Sequence, residues 1–176
     1  MLENEKILIR AIEPEDLEWL YTWENDMTLW DVSNTITPFS HYTLKRYIEN
    51  AHLDIYETKQ LRLMMVDKEN NEPIGTIELY DFDPYNRRAG LGIMIHRTEK
   101  RKKGYAHNAV KLLLFYCFDT LGLHQVYASI PSNNIESKRL FEKIGFKQTG
   151  YREQWLKRRD GWEDVIYYQI LNPLEA

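Results

Sequence analysis

The chain has little with which to cross-link itself, hold a metal or cross a membrane. Its single cysteine, Cys117, excludes an internal disulfide and suits a reducing compartment. No apolar run approaches the roughly 20 residues of a membrane span. The first six residues, Met1 to Lys6, are polar and acidic, unlike a secretory signal. A cytoplasmic location with no membrane partner is therefore expected. A net charge of −4 lacks the basic excess of a nucleic-acid binder, so no nucleic acid is expected either. His-Glu-x-x-His, paired-cysteine and carboxylate–histidine spacings are missing, and the five histidines are scattered, so no metal is expected. Repeats, low-complexity tracts and linkers are absent, and residues 1–176 read as a single domain long enough for a sizeable core.

What is present is an alternation of strand and helix signals. Ile7 to Arg10 predicts a strand. Glu13-Pro14-Glu15-Asp16 opens a helix, with proline and acids in the first turn and Leu17, Leu20 and Tyr21 as its apolar stripe. A second helix covers roughly Ser40 to Ala51. Residues 61–80 form a hairpin: a strand over 61–66, a polar turn over 67–72 and a strand over 73–80. Asp83-Pro84-Tyr85-Asn86 turns into a strand over 87–95. A helix follows over 106–121, in which Cys117 reads as a packed thiol. Then come a strand over 125–130, a helix from Asn134 to Lys143 closed by Gly145, and a hairpin turning at Asp160-Gly161. The order β-α-α-β-β-β-α-β-α-β-β belongs to the α+β class, a mixed α/β sheet flanked by helices. The central hairpins argue against a doubly wound parallel sheet.

The strand ending Leu91-Gly92-Ile93-Met94-Ile95 and the apolar helix after Asn108 are joined by Arg101-Lys102-Lys103-Gly104-Tyr105-Ala106. The first N–H groups of a helix have no internal partner, and the helix dipole favours negative charge there. Three cationic side chains add formal charge, and Gly104 permits close backbone approach. The expected guest is a phosphate or pyrophosphate. A P-loop requires Lys-Ser or Lys-Thr after its glycine, but Tyr105 follows Gly104. A dinucleotide fingerprint requires three spaced glycines, and only Gly104 is present. The second basic cluster, 157–159, reads as a solvated loop.

Arg101-x-x-Gly104-x-Ala106, after a strand ending Ile93-Met94-Ile95, resembles the acetyl-CoA signature of the GNAT N-acetyltransferases. Asn134-Ile135-Glu136-Ser137-Lys138-Arg139-Leu140-Phe141-Glu142-Lys143-Ile144-Gly145-Phe146 resembles that family's next motif. The order of elements is similar too, so the resemblance covers nearly the whole chain. It implies the GNAT acyl-CoA N-acyltransferase fold, an N-acetyltransferase activity and acetyl-CoA as cosubstrate. Backbone groups of Ile93 and Ile95, on either side of Met94, pair in this picture with the pantetheine arm as an added strand, and Gly92 eases the approach. Backbone amides of Arg101, Lys102, Lys103, Gly104, Tyr105 and Ala106 hold the pyrophosphate. Asn134 hydrogen-bonds the pantetheine, and Ser137 and Phe141 lie near the thioester. Phe146 reads as core.

Acetyl transfer to an amine needs a base for the ammonium, polarisation of the carbonyl and a donor for the departing thiolate. Glu78, mid-strand among apolar residues and on one face with Thr76 and Tyr80, is the candidate base or ammonium ligand. Around 86–92 the chain is similar to polyamine acetyltransferases, which carry a tyrosine where this chain has Phe141. Enzymes resembling the ribosomal-protein N-terminal acetyltransferases carry a serine at the position of Ser137. Ser137 is therefore the candidate thiolate donor, with Tyr151 in reserve. Trp19, Tyr21, Trp23 and Trp30 stand among Glu13, Glu15, Asp16, Glu18, Glu24, Asp26 and Asp31, a composition suited to alkylammonium groups. Trp30, Asp31, Glu78 and Tyr80 are the candidate substrate contacts. The expected reaction is direct attack of a small polyamine-like primary amine on acetyl-CoA in a ternary complex. The alternatives are acetylation of protein N-termini and a CoA-binding module without catalysis. Trp155 and Trp162 in the last hairpin are candidates for a homodimer interface.

Overall fold

Eight strands form one sheet in the computed structural model, which describes residues 2–175. They are β1 (Leu2–Glu3), β2 (Ile7–Ala11), β3 (Leu61–Asp67), β4 (Glu72–Asp83), β5 (Arg88–Ile95), β6 (Gln125–Pro131), β7 (Lys147–Arg158) and β8 (Gly161–Leu171). Their spatial order is β1-β2-β3-β4-β5-β6-β8-β7, and every neighbouring pair is antiparallel except β5 with β6. The helices are α1 (Leu17–Glu24), α2 (Trp30–Ser33), α3 (His41–Glu49), α4 (Ile55–Thr58), α5 (Tyr105–Phe115) and α6 (Ile135–Ile144). The mixed α+β architecture agrees with the sequence. The short elements β1, α2 and α4 are additions to the order expected from it. The helix opened by Glu13 begins as a 3-10 turn, Pro14–Asp16, before α1. The helix expected over 106–121 ends at Phe115 and continues as a π-helical turn, Tyr116–Thr120.

Strand alternation divides the side chains between two cores. Ile77 and Leu79 of β4, Leu91 of β5 and Val126, Ala128 and Ile130 of β6 pack under α5 and α6, with Cys117 fully buried among them. Burial pushes the Cys117 thiol up to about 12, which leaves it an inert packed group. On the opposite face, Met64 and Val66 of β3 pack under α1 and α3 with Leu20, Trp23, Leu44 and Ile48. The residues between those of the first core, Thr76, Glu78 and Tyr80 of β4 and Gly90, Gly92 and Met94 of β5, therefore face the α1 side.

The parallel pair is the irregular part of the sheet. Arg88, Ala89 and Gly90 pair with Gln125, Val126 and Tyr127, and among the described residues no pairing of β5 with β6 continues beyond them. Residues 91–95 and 128–131 diverge, leaving a gap in the middle of the sheet.

Candidate functional site

The gap opens into a cleft of about 1220 Å³. Its inner edge is the backbone of β5. His96 N–H donates to the carbonyl of Ile74 at 3.0 Å, and Gly75 stands opposite Ile95. Antiparallel alternation then directs the N–H and C=O of Met94 at Thr76 and turns those of Ile93 and Ile95 toward the gap. The Nε of Arg101 donates to the carbonyl of Ile95 at 2.9 Å, consistent with that direction. What remains at this edge is the N–H and C=O of Ile93 and the N–H of Ile95.

The far end of the cleft is the loop before α5. Gly104 stands at φ +85° and Lys102 at +59°, and Gly104 caps α5 with no side-chain acceptor. Among the described residues, the backbone N–H groups of residues 102 through 107 find no acceptor. The N–H of Arg101 is occupied by the carbonyl of Thr98 at 3.1 Å, so the run of free donors is displaced by one residue from the expected 101–106. Six free donors at a helix N-terminus fit a pyrophosphate. The side chains divide. Arg101 and Lys102 line the cleft, and Lys102 reaches Glu136 of α6 at 2.7 Å. Lys103 does not line it. Its carbonyl accepts from Lys6 Nζ at 2.5 Å, and its side chain borders a smaller cavity behind the loop.

The opposite wall is the start of α6. Asn134 caps the helix, its Oδ1 accepting from the N–H of Ser137 at 3.0 Å. Gly145 closes it at φ +115°. Asn134 and Ser137 line the cleft together with Ile93, Met94, Ile95, Gly104, Tyr105 and Ala106. Phe141 does not. It is 2% exposed and packs edge-on against Phe146 with ring centroids 4.9 Å apart, while Leu140 lines the cleft in its place. Helical geometry turns Phe141 into the core, away from the thioester position that the resemblance implies.

The α1 side holds the remaining candidates. The carboxylate of Glu78 accepts from Gln60 Nε2 at 2.9 Å. Beside it Arg62 pairs with Glu24 and lies 3.4 Å from the hydroxyl of Thr76. Arg62 stands opposite Glu78 in the β3–β4 register but ion-pairs with Glu24, so its charge is already matched there. Tyr80 lies over Gly90, meets Tyr127 edge-on at 5.8 Å and stands beside Ser129, at the fork where β5 and β6 part. Burial raises its phenol above the ordinary range, with Ser129 opposing. Neither Glu78 nor Tyr80 lines the cleft; both stand on the α1 side of the sheet. Asp31 does line it.

The expected aromatic receptor is not assembled. Trp23 is buried and stacked on His96 (4.5 Å, 2°), Trp19 packs against Trp23, and Tyr21 stacks on His41. Trp30 spends its indole N–H on the carbonyl of Glu24 at 2.9 Å. Trp19, Tyr21 and Trp23 belong to the α1 core, as an amphipathic helix requires.

Two residues were missed in the sequence. Arg158, expected in a solvated loop, lines the cleft. It pairs with Glu163 at 2.6 Å and donates to the carbonyl of Asp31 at 2.7 Å. Glu163, 8% exposed, accepts the N–H of Asn133 at 2.8 Å, so the last hairpin braces both α2 and the turn into α6. Their signal was only a Glu five residues after an Arg across a two-residue turn.

Residues 6–147 match the family model described as "Acetyltransferase (GNAT) domain". The chain is 29% identical over 171 residues to the uncharacterized N-acetyltransferase p20 of Bacillus licheniformis, covering 97% of this chain and 95% of that protein. It is 28% identical to YdaF of Bacillus subtilis, provisionally named a ribosomal N-acetyltransferase, covering 96% and 92%. Among solved structures it superposes on spermidine N-acetyltransferase from Vibrio cholerae in complex with CoA and spermine (TM-score 0.86, 24% identity, 96% and 97% covered). It also superposes on a dodecameric structure of the Vibrio enzyme in an intermediate state (TM-score 0.79, 26% identity, 96% and 95% covered).

Proposed function

The chain belongs to the GNAT N-acetyltransferase family, and on that premise we propose that it transfers the acetyl group of acetyl-CoA to a small polycationic amine of the polyamine type, by direct attack in a ternary complex. The observation that carries the proposal is the gap between β5 and β6, with an unpaired backbone edge and six free N–H groups on its cleft side and the carboxylate of Glu78 on its α1 side. The donor enters along Ile93 and Ile95, as an extended chain adds to a sheet edge. Its pyrophosphate takes the amides of residues 102–107. The amine approaches from the α1 side, and the two meet at the fork.

Glu78 then accepts the ammonium proton, directly or through a water. The Glu78 carboxylate, beside an Arg62 already paired with Glu24, favours a cation there, and Asp31 supplies a second anionic contact from the cleft. Ser137, at the first turn of α6, donates to the departing sulfur. Most of the rate gain comes from holding two substrates in one geometry. The similarity at 26% identity to a spermidine N-acetyltransferase supports the choice of amine.

Ser137 in the cleft wall, with Phe141 in the core, also favours a second reading in which the acceptor is a protein N-terminus; YdaF supports it. One panel separates the two. Thiol release from acetyl-CoA is followed with spermidine, spermine, an aminoglycoside and N-terminal peptides. Turnover on polyamines is expected, and turnover confined to peptides replaces the first reading with the second. A homo-oligomer interface is assigned to the β7 edge of the sheet, where Tyr151 and Trp155 are exposed; Trp162, on the neighbouring β8, lines the cleft instead. Light scattering on a Trp155→Glu variant tests it by loss of the assembled species.

A further inference from the structure

The loop that presents the six free N–H groups carries little that would hold it still. Lys102 and Gly104 stand at positive φ, and the 102–104 amides make no internal bond among the described residues. Donors confer affinity only if they are already aimed when the anion arrives; otherwise binding is weakened by the cost of ordering them.

The bracing comes from behind. Asp67, the last residue of β3, is 1% exposed. Its Oδ2 lies 2.5 Å from the Nζ of Lys100, immediately before the loop, and its Oδ1 accepts the N–H of Glu69 at 3.1 Å. The phenol of Tyr105, immediately after the loop and 5% exposed, lies beside the same carboxylate. One buried anion thus grips the residues that bracket Arg101 to Gly104. A second brace is lighter. Lys6 donates to the carbonyl of Lys103, while Asn4 donates to Oδ1 of Asn108 at 3.0 Å, and Asn108 to the carbonyl of Gly104 at 2.9 Å.

We propose that Asp67 is the positioning residue of the phosphate loop: buried behind it and outside the cleft, it fixes Lys100 and Tyr105 so that the intervening N–H groups converge on the pyrophosphate of CoA. The proposal rests on acetyl-CoA as the cosubstrate. Burial alone raises the pKa of Asp67, but Lys100, the Glu69 N–H and Tyr105 outweigh it and hold the carboxyl below its ordinary range, so the brace is charged at neutral pH. Lys100 borders the cleft, but its Nζ is held by Asp67, so it acts as a strut rather than as a phosphate ligand.

The test is Asp67→Asn in the full chain, which keeps the shape and removes the charge. CoA and pantetheine, which lacks the pyrophosphate, are titrated by calorimetry, and acetyl-CoA is compared with S-acetylpantetheine as donor. A tenfold or greater rise in the CoA Kd and the acetyl-CoA KM is expected. The pantetheine Kd, the amine KM and turnover with S-acetylpantetheine should stay within twofold. An unchanged or tighter CoA Kd in a variant with native circular dichroism overturns the proposal. So does an equal loss with S-acetylpantetheine, which would mark a general collapse of the site. If Asp67→Asn does not fold, Tyr105→Phe decides: it keeps the packing and is expected to raise the CoA Kd at least threefold, and no change overturns the proposal. If the wild-type protein acetylates no amine, the acceptor reading falls, while the CoA titrations still decide the role of Asp67.

Discussion

A methyl group on Gly92 would stand 3.2 Å from Oε1 of Glu78 and 3.3 Å from its Cγ, so the absent side chain of Gly92 is what gives this carboxylate its room. The sequence suggested that Gly92 eases the approach of the pantetheine arm. Its Cα–H instead faces the α1 side, toward Glu78. Gly92→Ala is expected to displace Glu78 and lower kcat about tenfold, roughly 1.4 kcal/mol of barrier, with an unchanged CoA Kd. Glu78→Gln should cost at least as much. Steady-state kinetics beside CoA titration checks both, and full kcat in either variant removes Glu78 from the mechanism.

Gly90 is under a stricter constraint. A Cβ there would lie 2.2 Å from the ring of Tyr80, a contact relieved only by moving the ring. Gly90→Ala is expected to destabilise the fold by about 1–3 kcal/mol through overpacking. Urea unfolding of Gly90→Ala, Tyr80→Ala and the double variant measures the coupling. Additive losses would show that the ring yields freely.

Ser137 and Asn134 share a helix turn but are expected to separate by assay. The cap uses the backbone N–H of Ser137 and the side chain of Asn134. Ser137→Ala should leave stability within about 0.5 kcal/mol and lower kcat at least tenfold. Asn134→Ala should cost about 1 kcal/mol of stability. Loss of stability in Ser137→Ala with full turnover would make its hydroxyl a structural group.

His96 sets an acid limb. Both ring nitrogens are buried and, among the described residues, lack hydrogen-bond partners, and the ring lies flat on Trp23. Burial first, then Arg62 and Arg101, lower its pKa to about 3, against a pull from Asp26. Between the ordinary histidine value near 6.5 and about 3, the unfolded chain binds a proton that the folded chain refuses. Stability therefore falls as pH falls through that window, at up to about 1.4 kcal/mol per pH unit. His96→Phe should flatten the limb. Unfolding free energies from pH 7 to pH 4 measure it, and parallel slopes for the two proteins would contradict it.

What the sequence made legible was local. The 61–80 hairpin, the turn at Asp160-Gly161, the cap at Asn134 with its closing Gly145 and the glycine before α5 are each specified within a few residues, and each is found. The α2 and α4 turns were missed because four residues carry too little periodicity. Phe141 was misplaced because a motif gives spacing while burial depends on which helical face meets the sheet. The tryptophans among the acids of the first 31 residues suggested a cation receptor by composition, whereas Trp19 and Trp23 belong to the core with Met64 and Val66, a placement that composition does not encode. Asp67 passed as the first residue of a polar turn because its partners, Lys100 and Tyr105, lie more than 30 positions away.

The seam of three residue pairs between β5 and β6 makes the sheet a book with a short spine: five strands form one cover and three the other. An unpaired strand edge on a protein's rim invites other chains and aggregation. Here the open edge is sunk between the covers and roofed on one side by α5 and α6. A guest lying along it lengthens the spine. Occupancy should therefore stiffen the molecule as a whole and slow amide exchange far beyond the residues it touches, in the strands of both covers together.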